Sequence, residues 1–438
     1  MQQTLEKVLT LAKGRCEAAE AYMVSGEQTP VEFKSGKLHS VEHKEIRGLG
    51  LRVVRNGRIG FSSTTDLARL DELVEHAVSG AAFGQFSRFE FPRQCAPGAV
   101  RVRDAAVERF TPAQAIAEGR RAIAALKLRA PELKCDAGFE KRVTAVELAN
   151  SRGFHGRYDK TVFSQSVSGV GVVDGSLLFV GDSRRGCGLA LETKAIVSAV
   201  CANLRHARRT ARIATGRMPV LFAPEAMYLF WMSLALGVNG KMLQKKSSPL
   251  QDRIGEQVLD RRVTVSDDPR RPLALGSLPF DAEGTCTARL PLFERGEFRN
   301  FIYDLQTAGM LGTTTTGHGR RDFTGQPQPG ISNLTIAPGR KAMAEMVGSM
   351  DRGVIIHDLL GAGQSNLLAG DFSANIGLGF AVEKGRITGR VKDAMVAGNV
   401  YDLLRNRLVS ISRETEWRGP HLTPAMLFDG VSIAAKGK

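Results

Sequence analysis

Val31 to Ser63 reads VEFKSGKLHSVEHKEIRGLGLRVVRNGRIGFSS. Ser35-Gly36 and Asn56-Gly57 interrupt runs rich in Val, Ile and Leu. An Asn-Gly pair between such runs is a strong hairpin signal, because both turn positions favour positive φ. The stretch is therefore read as an antiparallel meander. Upstream, MQQTLEKVLTLAKGRC has Glu6 and Lys7 among its apolar residues and no basic head before an apolar run. It reads as an amphipathic helix and not as a signal peptide. Downstream, Asp66 to Ser79 places apolar residues at three and four spacing behind Asp66, which predicts a helix capped by that carboxylate. Phe83 to Arg101 has no period and is read as a connection between lobes.

Thr111 to Ala130 repeats the helix signal, with Thr111 as cap and Pro112 at the first helical position. Cys135 to Ser183 is a second run of strand-like segments, broken at Asn150-Ser151-Arg152-Gly153 and at Asp174-Gly175, and its order of features echoes the first meander. Glu192 to Arg212 is read as a long helix ending in Arg205, Arg208, Arg209 and Arg212.

The pattern changes after Gly216. A strand, MPVLFA, precedes the uncharged run Ala226 to Val238, and short strands follow to the end, with hairpin tips at Glu294-Arg295-Gly296-Glu297 and Glu383-Lys384-Gly385-Arg386. With 438 residues the chain exceeds what one core holds. The reading is an α+β protein of two lobes. Residues 1–216 form an N-terminal lobe of antiparallel meanders with flanking helices and a possible sub-boundary near 83–110. Residues 217–438 form a mostly antiparallel β lobe around a buried helix.

Composition removes several classes. An apolar fraction of 43% and a charged fraction of 24% exclude disordered, collagen-like and coiled-coil chains. The run 226–238 is shorter than the roughly 20 residues a membrane span needs. Cysteines stand at 16, 95, 135, 187, 201 and 286 without a C-x-x-C pair, which points to reduced thiols and a cytoplasmic location. The net charge of +15 speaks to solubility and non-specific attraction more than to a site.

Each chemical candidate has a plain alternative. His39 and His43 lie in a strand pattern, where four residues at about 3.3 Å each hold the rings too far apart for one ion. Gly353 to Asn366, GVIIHDLLGAGQSN, resembles a nucleotide turn but lacks the third glycine and the helix that should follow. No phosphate loop, nucleophile elbow or H-E-x-x-H occurs. The arginines at the end of the 192–212 helix complement its dipole without any ligand. Gly312 to Gly330, GTTTTGHGRRDFTGQPQPG, is expected to be a mobile loop in which His318, Arg320 and Arg321 could grip a carboxylate or an extended peptide.

Taken in order, VEFKSGKLHSVE, GLGLRVVRNGRIGFSS, LANSRGFHG, MPVLFAPEA, LPFDAEGTCTARLPLFERG, TTTTGHG, LLGAGQSNLLAGDFSANIGLGFAVEKGRI and AGNVYDLLRN make the whole sequence resemble the TldD/PmbA family, in its PmbA (TldE) branch. The resemblance implies a cytoplasmic two-chain zinc metalloprotease acting on unfolded or modified peptides. Its TldD subunit carries His-Glu-x-x-x-His on a helix and a cysteine near the C-terminus, two imidazoles and a thiolate around zinc with the Glu as base. Here Pro224 and Leu229 stand roughly where the two histidines would be, only Glu225 matches, and ETEWRGPHLTPAM holds no cysteine. The resemblance thus implies a non-catalytic subunit with no cofactor of its own, zinc residing in a TldD-like partner. Glu225, in the first helical turn, is given a structural role. The β-rich lobe offers strand edges to which a peptide can add, and His318, Arg320, Arg321 and Asp371 are the expected substrate contacts. Two other readings compete: an autonomous homodimeric peptidase of the same family, and a nucleic-acid or topoisomerase-associated binder whose affinity would fall steeply with salt.

Overall fold

The computed structural model describes residues 1–96 and 98–435. The first sheet is built from two helix–meander–helix units. The first contains α1 (Gln2–Ala12), β1 (Ala18–Lys34), β2 (Lys37–Val41), β3 (Lys44–Arg55), β4 (Arg58–Thr64) and α2 (Leu70–Gly80). Ser35 and Asn56 adopt φ of 49° and 50°, followed by Gly36 and Gly57 in the same left-handed region, so both hairpins turn where expected. Asp66 does not cap the helix. Its carboxylate instead accepts from the Ala68 N–H in a local turn, and α2 begins later, with Arg69 at the N-cap.

After the short α3 (Ala105–Arg109), the second unit contains α4 (Pro112–Arg129), β5 (Lys134–Asn150), β6 (His155–Val173), β7 (Ser176–Gly186) and α5 (Thr193–Ala207). Thr111 opens α4 with a reciprocal capping box: its hydroxyl accepts from the Gln114 N–H, and the Gln114 side chain accepts from the Thr111 N–H. The strand order β4-β3-β1-β5-β6-β7 joins the units back to back through the antiparallel β1–β5 pair. Helices α1 and α2 bury Leu5, Val8, Leu73 and Val74 against Met23, Leu51 and Val53. Helices α4 and α5 bury Ile123, Leu126, Ile196 and Val200 against Phe33, Phe139 and Phe163. α5 stops at Ala207, so the expected arginine cluster on one helix face is broken. Arg208 is the C-cap residue and donates to the Arg129 carbonyl, while Thr210 already lies in a strand.

The second sheet begins with β8 (Thr210–Ala211) and β9 (Gly216–Phe222). A 3₁₀ turn, Pro224–Met227, leads into α6 (Tyr228–Gly237), followed by α7 (Gly240–Gln244), β10 (Val265–Asp267), β11 (Leu290–Glu294), β12 (Glu297–Phe298) and α8 (Leu305–Met310). The chain continues through β13 (Gly319–Arg320), β14 (Gln328–Pro329), β15 (Leu334–Ile336), α9 (Met343–Gly348) and β16 (Arg352–Leu360). It ends with β17 (Asp371–Glu383), β18 (Arg386–Val391), β19 (Ala394–Asn399), β20 (Leu408–Arg418) and β21 (His421–Ala435). β9, β16, β17, β19 and β21 pair in a closed ring, a barrel without a free edge. The lobe is mostly antiparallel, with parallel pairs at β9–β16, β15–β21 and β8–β18. α6 is apolar around its circumference, as a helix enclosed by core must be. Phe230 packs among Phe222, Phe372 and Phe428. Among the described residues no helix is long and apolar enough to cross a membrane.

Residues 84–96 and 98–104 belong to a strap that links the two units of the first sheet and touches the second lobe. Gln306 donates to the Phe86 carbonyl and accepts from the Arg88 N–H, and Asn150 donates to the Pro92 carbonyl. Cys95 is joined to Cys286 by a disulfide. This corrects the expectation of six reduced thiols. The two cysteines lie 191 residues apart, and only the folding of the strap onto the second lobe brings them together.

Candidate functional site

The site is assembled where the end of β9 meets the sheet-to-sheet seam. Pro224 opens the 3₁₀ turn at a position where its missing N–H costs nothing. Glu225 follows and accepts from two strands of its own lobe: His357 Nδ1 on β16 at 3.0 Å and Arg418 Nη2 at the end of β20 at 3.4 Å. Arg418 also donates to Glu416 on β20 and crosses the seam to Asp182 on β7. Arg184 flanks the same Asp182 at 2.7 Å and reaches Glu192 at 3.3 Å. The result is an alternating line of charges from the first sheet to Glu225. Burial alone would push the Glu225 carboxyl up, but the hydrogen bond and charge of His357 and the nearby Arg418 guanidinium hold it down at about 2. Asp358, beside His357, is pushed up by burial and by the Glu225 charge.

A groove of about 420 Å³ opens on this seam, lined among others by Arg184, Leu189, Glu192, Leu273 and Trp417. Arg184 and Trp417 place it next to the charge line. It combines apolar wall with both signs of charge.

The residues expected from sequence are distributed differently. Pro224 and Leu229 are buried, Leu229 within the core around α6. His318 is wholly buried. Its Nε2 lies 3.0 Å from Asp267 and its Nδ1 2.8 Å from the Thr316 carbonyl, so both ring nitrogens face oxygen acceptors inside the lobe. Burial would push Asp267 up, but the His318 contact outweighs it and holds this carboxyl below the usual range. Arg320 donates to Ser332, and Arg321 pairs with Glu20 at 2.7 Å while lying over the Tyr22 ring. The segment is therefore a packed brace and not the open, peptide-gripping loop expected, because each of its basic side chains meets an internal partner. Asp371, exposed at the start of β17, accepts from Asn399 at 2.9 Å and is not drawn into the others' network.

His357, Arg418 and Asp182 were not singled out from the sequence. For His357 the sequence signal is a polar residue inside an apolar strand run, GVIIHDLL, since such a residue needs a buried partner, whereas Arg418 in SRETEWRGP carries no such signal.

With this geometry in hand, the comparisons with known proteins place the chain. The family model for the PmbA/TldA metallopeptidase C-terminal domain matches residues 215–435, and that for domain 1 of the same metallopeptidases matches residues 19–81. The chain belongs to the PmbA/TldD family, on its PmbA/TldE branch. It is 28% identical to the metalloprotease PmbA of Escherichia coli O157:H7, covering all of this chain and 96% of that one. It is 24% identical to the metalloprotease PmbA homolog of Haemophilus influenzae, over 99% of this chain and 96% of that one. Its fold is that of TldE from Thermococcus kodakarensis, with a TM-score of 0.92 at 22% identity over 99% of this chain and all of that one.

The family implies zinc, and the residues at Glu225 do not fit it. A dication needs several lone-pair donors free to converge. Here one carboxylate and one imidazole already bond each other, and the guanidinium beside them is a fixed positive charge that repels a metal. Among the described residues, no group of three or more His, Cys, Asp or Glu side chains converges as a metal site.

Proposed function

We propose that this chain is the non-catalytic subunit of a cytoplasmic TldD/TldE-type zinc metalloprotease that cuts unfolded or modified peptides. The observation that supports the reading is the pairing of Glu225 with His357 and Arg418, with Pro224 and Leu229 standing roughly where the resemblance puts the two histidines. The names of its PmbA relatives support membership in a proteolytic system. In this reading a TldD-like partner brings zinc and the catalytic base, and the seam groove with Trp417 forms part of the chamber that holds the peptide.

The test is co-expression with a TldD-like chain from the same genome, followed by size analysis, zinc determination and a peptide cleavage assay. The expected outcome is a stable pair that carries zinc and cleaves, with the isolated chain inactive. Stoichiometric zinc and cleavage by the isolated chain would overturn the reading in favour of an autonomous homodimeric peptidase. Failure to pair would count against it.

A further inference from the structure

The strap between the sheets carries a reactive pair that the proteolytic reading does not use. Cys286 leaves a tight loop in which the Asp281 N–H donates to the Thr285 carbonyl, and the same loop presents Glu283 to Arg52 of the first sheet. Cys286 is exposed and Cys95 half-buried, so water-borne reagents reach the bond. The remaining thiols are shielded by comparison. Cys135, Cys187 and Cys201 are buried, burial pushes the first two further up, and Cys16 is half-buried with its thiol donating to the Ala12 carbonyl.

The position of the bond gives it leverage. Among the described residues, the strap's nearest backbone hydrogen bonds on either side are at Pro92, whose carbonyl accepts from Asn150, and Ala99, whose carbonyl accepts from Arg270. Arg93, Gln94 and Ala96 between them are exposed, and Cys95 ties this arch to the second lobe.

We propose that Cys95 and Cys286 form a reversible thiol–disulfide latch, opened by a small-molecule thiol and closed by a small-molecule disulfide, that sets how firmly the strap is held across the two lobes. In opening, a reagent thiolate attacks the exposed Cys286 sulfur, forms a mixed disulfide and breaks the bond to Cys95. Cys95 leaves as a thiolate and takes a proton from water. A second reagent thiolate then attacks the mixed disulfide and releases Cys286, which is protonated in turn. The two cysteines gain two electrons and two protons, and two reagent thiols leave as one disulfide. Closing runs the same steps backwards.

Arg93, exposed in the arch, makes the state of the latch readable with trypsin. The full chain is incubated with oxidised glutathione or with dithiothreitol, exchanged into buffer, and digested briefly. Cleavage after Arg93 is expected to be about fivefold or more faster in the reduced sample, since proteolysis follows local opening, with other sites unchanged. Re-oxidation should restore the slow rate. Cys95→Ser should cut at the fast rate under both conditions, and the reduced natural chain supplies the same comparison if that variant does not fold. Maleimide labelling before digestion reports the bond itself. Labelling of Cys95 and Cys286 after oxidised glutathione, or equal cleavage after Arg93 in both states, would overturn the latch.

Discussion

Arg418 shows how much one side chain settles beside Glu225. It pairs with Glu225, Asp182 and Glu416 at once, with its own side chain only 18% exposed. Breaking a buried pair costs about 3–5 kcal/mol, and partial exposure trims this to about 2 kcal/mol for Arg418→Ala, read as a lower urea midpoint at pH 7. The pH profile separates electrostatics from packing. Glu225 is held at about 2, below its unfolded value, so its share of stability is present above about pH 4.5 and fades as pH falls toward 2. In Arg418→Ala that fade should begin at higher pH, because one of the cations holding the carboxylate down is gone. Profiles for the two proteins that ran parallel between pH 7 and 2.5 would show that the guanidinium does not hold Glu225 down. Arg418→Lys keeps the charge and loses the fork, and should recover the acid limb.

At the scale of elements, the contact between α2 and β4 turns on Gly60. A Cβ there would lie 1.9 Å from the Ala77 carbonyl oxygen and 2.9 Å from the Ala81 N–H nitrogen. Both are backbone atoms, so the helix must move off the sheet. Gly60→Ala is expected to cost about 3 kcal/mol in chemical denaturation and to speed hydrogen exchange in α2. Unchanged exchange there would mean that the strand gives way instead. The sequence showed the turns well, since Asn56-Gly57 and Lys384-Gly385 carry their own geometry and were placed where φ turns positive. Thr111-Pro112 and the charge-free run before Val238 were equally local signals. The internal pairing of His318 and Arg321 in the 312–330 segment was not legible. His318 pairs with Asp267, 51 residues away, and Arg321 with Glu20, 301 residues away, and pairings at such distance leave no trace in spacing. For the same reason the disulfide and the His357–Glu225–Arg418 line emerged only in three dimensions.

At the scale of the whole molecule, the two sheets meet through apolar contacts, Phe280 on Phe154 and Tyr158 and Phe380 in the core with Phe163, and through polar ties. Lys160 on β6 donates to the Leu275 and Ser277 carbonyls, Arg390 on β18 donates to the Leu177 carbonyl, and Arg418 reaches Asp182. The most enclosed tie is Arg52, fully desolvated, which forks onto Glu20 of its own sheet and meets Glu283 of the other lobe at 2.8 Å, under the rings of Phe89 and Phe91. Interfaces within one chain are more polar than obligate ones, and Arg52 is the most enclosed polar tie here, so removing this cation is expected to loosen the coupling. Arg52→Ala takes the cation from Glu283 in the interior and leaves Glu20 with Arg321 alone, at a cost of about 3–5 kcal/mol. The chain has two tryptophans, Trp231 buried in the core of the second lobe and Trp417 on the seam, so in a Trp417→Phe background fluorescence follows that lobe while far-ultraviolet circular dichroism follows both. In that background alone the two signals should trace one denaturant transition. With Arg52→Ala added they should separate, the dichroism falling first as the meander sheet unfolds and the fluorescence persisting with the barrel. Coincident curves displaced together to lower denaturant would show instead that the lobes are held as one unit by their remaining contacts, and that Arg52 contributes stability without being the coupling element.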